Sequence, residues 1–294
     1  MTENSNLIMA IDGIWGGISN AEYHADNERI STSGIKKIVA QSPMHFKLWE
    51  SAETEAMALG TATHTYILEG EDVFKEHFAV APKCDKRTNV GKAAWADFLA
   101  ENAGKIPVTE KDYNQIYNMA NAVAAHPEAS ALFSGGIAEQ SILWTDPATG
   151  IRCKCRPDWL KDNNIIVDLK TTQNSTLFPA KASIRKYGYD IQDAFYLRGA
   201  AAVGRPCSMF IFVFVETTHP YGVGVYYLDG PTRRIAELKI DDGLRTYQQC
   251  QNTGIWPGPN GDQIIPVSLV GEVEIDEAEF IVPEDAGEVL HIAV

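Results

Sequence analysis

The stretch CKCRPDWLKDNNIIVDLKTT, residues 153–172, decides the expected fold of this chain. Its two halves alternate apolar and polar residues with the period of a β-strand, and DNN at 162–164 is a turn signal between them. A hairpin centred on the middle of that turn places Asp158 opposite Asp168, with Cβ atoms roughly 4.5–5.5 Å apart. Lys170 lies on the same face as Asp168. The pattern therefore predicts two carboxylates and a lysine in one place.

Paired carboxylates repel each other unless one shifts its pKa or both share a cation. Hard oxygen ligands favour Mg²⁺ or Mn²⁺ over Zn²⁺, and a nearby lysine can orient or help deprotonate a metal-bound water. Arg152, Lys154 and Arg156 are expected on the face of Asp158, where they suit a phosphate backbone. Together these residue types indicate metal-assisted phosphodiester hydrolysis. The alternative is that each charged residue beside the turn is an ordinary solvated side chain.

Three strands are predicted in the middle of the chain, at residues 140–144, 151–160 and 165–170, with helices before them and alternating helices and strands after them. This order indicates an α/β fold with a mixed central sheet flanked by helices. We expect a single domain over residues 1–268. It comprises an N-terminal helical region at about 30–126 and a catalytic α/β core at about 137–252.

The net charge of −14 is unusual for a protein that binds nucleic acid, but it is unevenly distributed. Residues 1–245 contain all 25 lysines and arginines and 30 of the 39 acids, so the composition of this part leaves room for a local basic channel. Residues 269–294 contain eight acids and no lysine or arginine, and we interpret them as an acidic tail. The alternative is a strand that completes the core.

The motifs resemble those of a known superfamily. RPDWL at 156–160 followed by VDLKTT at 167–172 is similar to motifs II and III of the PD-(D/E)xK nucleases, which have the restriction-endonuclease-like core. His64, within LGTATHTYILEG, and the pair Gln192 and Tyr196, within YDIQDAFY, resemble the RecB-like branch. The segments ISNAEYHADNERISTSGIKKIVAQSPMHFKLW and CDKRTNVGKAAWADFLAE are similar to the exonuclease VIII (RecE-type) nuclease domain of phages and prophages.

The resemblance implies site roles. His64, Asp158 and Asp168 would be metal ligands together with the Leu169 backbone carbonyl, and Glu139 is a further candidate ligand. Lys170 would position the nucleophilic water. Gln192 and Tyr196 would belong to the catalytic residues as well, by supporting the site or the DNA. From the residues alone, His64 would be a core histidine, Glu139 a surface acid, and Gln192 and Tyr196 helix-packing residues.

A basic cluster before a predicted helix is a candidate contact for DNA phosphate, helped by the helix N-terminus, although a solvated basic loop explains it equally well. Its members are Lys83, Lys86, Arg87 and Lys92.

The resemblance also implies an activity: a Mg²⁺-dependent exonuclease, with Mn²⁺ as a substitute and two ions at the site. It would degrade linear double-stranded DNA 5′→3′ and leave 3′ single-stranded tails for an annealing protein in recombination. Relatives form rings, so a homo-oligomer is expected. The alternatives are a structure-selective or nonspecific endonuclease on the same core, and an inactive DNA-binding scaffold. Without a signal peptide or membrane span in the sequence, a phage- or prophage-encoded protein of the bacterial cytoplasm is expected.

Overall fold

The computed structural model describes residues 11–50, 55–261 and 263–267, apart from the side chains of residues 55 and 56. The strands in these residues are β1 (Gly13–Trp15), β2 (Ile30–Ser31), β3 (Phe78–Val80), β4 (Ile106–Val108), β5 (Gly136–Ala138), β6 (Ser141–Thr145), β7 (Arg152–Cys155), β8 (Trp159–Lys161), β9 (Ile165–Thr172), β10 (Met209–Glu216) and β11 (Val223–Tyr227). The helices are α1 (Asn20–Ala25), α2 (Thr32–Ala40), α3 (Pro43–Lys47), α4 (Glu55–His64), a π-helical turn (Thr65–Glu69), α5 (Glu71–His77), α6 (Asn89–Glu101), α7 (Glu110–Ala125), α8 (Pro127–Leu132), α9 (Leu177–Tyr187), α10 (Tyr189–Ala202) and α11 (Gly230–Thr253). No helix in the described ranges is both long enough and apolar enough to cross a membrane.

A five-stranded mixed sheet carries the predicted motif, with strand order β11-β10-β9-β8-β5. β9 and β10 are parallel, and the other neighbouring strands are antiparallel. A parallel pair needs a crossover connection, which α9 and α10 provide. A second sheet has the order β1-β6-β7-β2, and β3 pairs with β4 separately.

The sequence of β10 shows why helices cover both faces of the central sheet. Its phenylalanines, at 210, 212 and 214, pack into one core cluster with residues of α2, α10 and α11. The intervening Val213 and Val215 pack into a second cluster with residues of α4, α5 and α7. Alternate side chains of a strand point to opposite faces, so each apolar face requires its own helical layer. The predicted α/β class, with a mixed sheet flanked by helices, is confirmed.

The predicted strand at 151–160 is wrong in one respect, because it is two strands in two different sheets. β7 belongs to the four-stranded sheet, and β8 belongs to the five-stranded sheet. Pro157 lies between them and has no backbone N–H for a sheet ladder. The hairpin register is nevertheless as predicted, since Trp159 pairs with Val167 and Leu160 with Ile166. Asp158 therefore lies in the bend that enters β8.

The described residues up to Pro259 form one compact unit, and the few described residues from Asn260 onward are assigned to a separate one. The proposed acidic tail at 269–294 lies outside the described residues.

Close packing between α10 and β6 gives a stability prediction. A Cβ at Gly199 would lie 2.7 Å from the ring of Trp144, which is buried. Gly199→Ala is therefore expected to lower the free energy of unfolding by about 1–3 kcal/mol through overpacking. Gly60→Ala, in α4, is the matched control: the added Cβ would meet none of the described atoms outside its own helix backbone within 4 Å. Urea unfolding measures both; equal stability of the Gly199→Ala variant and wild type would contradict this packing.

Candidate metal and catalytic site

Asp158 joins the start of β8 to the middle of β9. Its Oδ2 atom accepts a hydrogen bond of 2.7 Å from the backbone N–H of Leu169. The same oxygen lies 3.5 Å from Nδ1 of His64, the last residue of α4. Asp158, in the bend between β7 and β8, thus contacts both the neighbouring strand β9 and a histidine of the N-terminal helical region.

Asp168 and Lys170 lie on the face of β9 that α10 covers. Asp168 is 0% exposed; its Oδ1 accepts a hydrogen bond of 2.5 Å from Nε2 of Gln192, and its Oδ2 lies 2.6 Å from Nζ of Lys170. Burial raises the pKa of Asp168 to about 6, opposed by Lys170 and assisted by Asp158. Burial disfavours the charge of Lys170, but Asp168 and Asp158 outweigh it and raise the pKa of the lysine. The pair is an ion pair in a poorly solvated place.

Glu139 reaches the same place from the connection between β5 and β6. Its backbone has a φ of 53°, a left-handed conformation that few non-glycine residues adopt, and its N–H donates to the carbonyl of Asp158 at 3.1 Å. Burial and the nearby Asp158 carboxylate raise the pKa of Glu139 to about 8. A strained residue with a carboxyl group beside another carboxylate is typical of a functional site.

His64, Glu139 and Asp158 form the one group of candidate metal ligands found within the described ranges. One ligand atom from each lies within 4.8 Å of the ligand atoms of the other two. One imidazole nitrogen and two carboxylate oxygens are a donor set suited to a divalent cation, and a cation would relieve the repulsion between the carboxylates. His64 stands where α4 widens into the π-helical turn, a feature frequent at functional sites. The residues present therefore fit a divalent metal.

The other predicted ligands and supporting residues lie beside this group. Asp168 is not one of its three members, since its oxygens face Gln192 and Lys170. Leu169 contributes its N–H to Asp158, and its side chain is buried in the core. Tyr196 packs edge-on against Phe210, with ring centroids 5.7 Å apart. Gln192 thus contacts an acid of the site directly, whereas the described contact of the Tyr196 ring is with Phe210.

All three basic residues predicted on the strand at 151–160 have partners within the protein. Lys154 is 4% exposed, and its Nζ donates to the carbonyls of Tyr23 at 2.5 Å and Asp26 at 2.6 Å. Arg152 pairs with Glu28.

Arg156 is engaged in the same way. It donates to the hydroxyl of Ser141 at 2.9 Å, to the side chain of Asn20 at 3.0 Å and to the carbonyl of Ile18 at 2.9 Å. These three cations hold the segment at residues 18–28 against the four-stranded sheet. Their charged groups therefore contact the protein itself, which argues against the expected role in binding DNA phosphate.

The side chains of the basic cluster are all exposed; Lys83, Lys86 and Arg87 precede α6, and Lys92 lies within it. Lys86 lies over the ring of Trp95, with Nζ 3.1 Å from the centroid, and Arg87 pairs with Asp85 at 3.0 Å. The structure therefore leaves the cluster, Lys83, Lys86, Arg87 and Lys92, accessible to a phosphate.

Sequence reasoning missed a tyrosine at the site. The ring centroid of Tyr189 lies 4.6 Å from Nζ of Lys170. The first residue of α10 thus covers the lysine, three residues before Gln192. The spacing from Gln192 could have indicated Tyr189, because residues i and i+3 of a helix lie on one face.

Metal binding gives a second prediction. Excess Mn²⁺ is expected to raise the melting temperature of the wild-type chain, since a ligand at 100 times its Kd stabilises by about 2.7 kcal/mol. Glu139→Gln should reduce this rise because it removes one charged donor, whereas Glu128→Gln, at an exposed position of α8, should not. Differential scanning fluorimetry with and without Mn²⁺ measures the effect. An equal rise in both variants would remove Glu139 from the metal site.

Comparisons with known proteins agree with this architecture. The family model of the PDDEXK-like domain of unknown function (DUF3799) matches residues 31–263. A putative exonuclease from Eubacterium rectale has the same fold: it is 16% identical, the match covers 86% of this chain and 97% of that chain, and the TM-score is 0.58.

Two further solved structures match with TM-scores below 0.5. One is a phage-related exonuclease from Haemophilus somnus 129PT, 13% identical, covering 77% of this chain and 96% of its own, with a TM-score of 0.35. The other is an alkaline exonuclease from Laribacter hongkongensis, which is 12% identical. The match covers 80% of this chain and 97% of that chain, with a TM-score of 0.30. A search of the curated proteins gives no match. Because the family match spans well over half of its length, the chain belongs to the DUF3799 family of PDDEXK-like domains.

Proposed function

We propose that this protein is a divalent-metal-dependent deoxyribonuclease. The observation that carries the proposal is the convergence of His64, Glu139 and Asp158 beside the Asp168–Lys170 pair. This arrangement lies in a PDDEXK-like fold, on strands whose register matches the motif.

His64, Glu139 and Asp158 would hold the ion, and we propose Asp168 and the Leu169 carbonyl as additional ligands. Oxygen-rich ligands favour Mg²⁺, and Mn²⁺ is expected to substitute for it. When bound, the ion supplies Lewis-acid polarisation of the phosphate and lowers the pKa of a bound water. The described residues contain a single group of three donors, so they support one ion more directly than the two expected from the sequence.

Lys170 is proposed to act on the reacting phosphodiester. Asp168, itself fixed by Gln192, holds the lysine ammonium in one position and favours its charged form. A fixed ammonium can orient the attacking water or stabilise the charge that develops on a phosphoryl oxygen. We assign Gln192 the role of orienting Asp168 and Tyr196 that of packing behind it.

We further propose that the substrate is the end of a linear duplex, degraded 5′→3′ as an exonuclease. The sequence resemblance to RecE-type domains supports this, and the Eubacterium rectale structure is described as a putative exonuclease. Lys83, Lys86, Arg87 and Lys92 remain the proposed phosphate contacts outside the site. The same resemblance supports a ring-shaped homo-oligomer, a single-strand annealing partner and a role in recombination in a bacterial cytoplasm.

Digestion of two DNA topologies with Mg²⁺ tests the mode of action. A linear duplex and a covalently closed circle of the same sequence are incubated with the protein. We expect loss of the linear DNA alone, with 3′ single-stranded tails, because an exonuclease requires an end. Loss of both substrates would indicate an endonuclease, and loss of neither would contradict the nuclease proposal and favour a DNA-binding scaffold.

A further inference from the structure

Lys36 places a second ammonium group beside the catalytic lysine. It lies on α2, and its Nζ is 5.1 Å from the ring centroid of Tyr189. Nζ of Lys170 is 4.6 Å from the same centroid. Two cations from different elements, one on a helix and one on the central strand, therefore converge on a single aromatic ring.

The positive charge of Lys36 is not balanced by the acids around it. Asp168 is paired with Lys170 at 2.6 Å, and Asp190 is paired with Lys239 at 2.7 Å. Within the described ranges, no carboxylate lies at ion-pair distance from Lys36. Burial, and then the like charge of Lys170, lower the pKa of Lys36 to about 7. A poorly solvated cation without a counter-charge is costly unless an anionic ligand completes the site.

The stem of Lys36 is fixed by the junction between α9 and α10. Gly188 joins these helices in a left-handed conformation with a φ of 61°, and a Cβ there would lie 3.4 Å from Cγ and Cδ of Lys36. The methylene chain thus packs on the junction, which guides the ammonium toward Tyr189. The packing of α2 against this junction therefore fixes where the Lys36 ammonium lies.

Space for a ligand adjoins the shared ring. Tyr189 lines a cavity of about 570 Å³ with residues from the end of β9 and the turn after it, including Thr171, Thr172 and Gln173. Their hydroxyl and amide groups can hydrogen-bond a sugar-phosphate chain. Tyr189 is thus shared between the two lysines and this cavity, and Thr171 of the lining directly follows Lys170 in the strand.

We propose that Lys36 binds a backbone phosphate of the DNA strand being cut, next to the scissile phosphate, and so positions the strand on Lys170. This inference rests on the proposed nuclease function. A phosphate is the ligand of choice because lysine binds phosphate as a point charge and because DNA offers one anion per nucleotide on each side of the cut. Lys170, which is paired with Asp168, would contact the scissile phosphate itself.

Lys36→Met tests the contact, and Lys37→Met is the matched control. Lys37 is the next residue of α2, and its Nζ lies 4.9 Å from the ring centroid of Trp49 instead. We expect Lys36→Met to lower kcat/KM on linear duplex DNA roughly 10- to 100-fold, the size of one charge-assisted hydrogen bond. The slope of log Kd against log salt should fall by about 0.7–0.9 in magnitude, as for one lost phosphate contact. Lys36→Arg should restore most of the activity because it keeps the charge.

Substrates that carry one uncharged methylphosphonate linkage locate the contacted phosphate. Wild type should lose activity when the linkage beside the scissile one is neutralised, and Lys36→Met should show no further loss from that change, because the two removals delete the same interaction. Additive losses, or a Lys37→Met variant as impaired as Lys36→Met, would overturn this inference while wild-type cleavage stands. A wild-type chain that cleaves no DNA would overturn the proposed function and this inference with it.

Discussion

Asp158→Asn is expected to reduce the single-turnover rate of linear DNA hydrolysis by more than about 100-fold, because replacing a partner that only supports a metal ligand already costs 10- to 100-fold. Asp158 belongs to the three-donor group and binds the Leu169 N–H through the same oxygen that faces His64. The amide keeps the shape of the carboxyl group but loses its charge. We therefore expect the fold to survive while the site loses its hold on the cation. The same result is expected for Asp168→Asn.

Asp162→Asn is the matched control for this prediction. Asp162 is an exposed acid in the turn between β8 and β9, four residues from Asp158. The substitution is chemically identical but lies outside the site, so rate and melting temperature should stay close to wild type. If Asp158→Asn retains a rate within a few-fold of wild type, Asp158 is not a metal ligand.

Lys170→Met is expected to lower the single-turnover rate by about 10²- to 10³-fold, the contribution of one fixed group that stabilises charge in the transition state. Its Kd for DNA should stay within about threefold of wild type, because an interaction made mainly in the transition state affects turnover and not ground-state binding. Rapid-quench kinetics and fluorescence anisotropy, the latter without divalent metal, measure the two quantities separately.

Lys181→Met, at an exposed position of α9, controls for the loss of one positive charge. It should leave both the rate and the Kd unchanged. A Lys170→Met variant that binds DNA much more weakly yet retains its single-turnover rate would make Lys170 a docking residue, in contradiction to the proposed role.

The central hairpin could be predicted because its determinants are local. Period-two alternation and a polar turn fix which residues oppose each other, and the register of β8 and β9 follows. The division between β7 and β8 was missed although Pro157 signalled it. A proline at the end of a strand does not reveal that the next strand joins another sheet, since that depends on which distant strands pair with each part.

Long-range partners explain what the residue pattern could not predict at the site. Alternation suggested that Lys154 and Arg156 face a phosphate, but both bind groups of the segment around α1, more than 100 residues earlier. Glu139 could not be separated from a surface acid, because its role depends on a left-handed backbone and on a bond to Asp158. Lys36 lies in a segment that resembles RecE-type domains, but the pattern gave it no role, because it meets Tyr189, the ring that Lys170 also contacts, only through the packing of α2 against α10.

The most direct test of the central claim is the release of acid-soluble nucleotides from a uniformly labelled linear duplex. Wild type is assayed with Mg²⁺, with Mn²⁺ and with excess EDTA, and Asp158→Asn, purified in parallel, is assayed with Mg²⁺. We predict release by wild type with either metal, none with EDTA, and a loss of more than about 100-fold in the variant. Release that persists in EDTA, or that is equal in wild type and variant, would contradict a metal-dependent nuclease centred on Asp158.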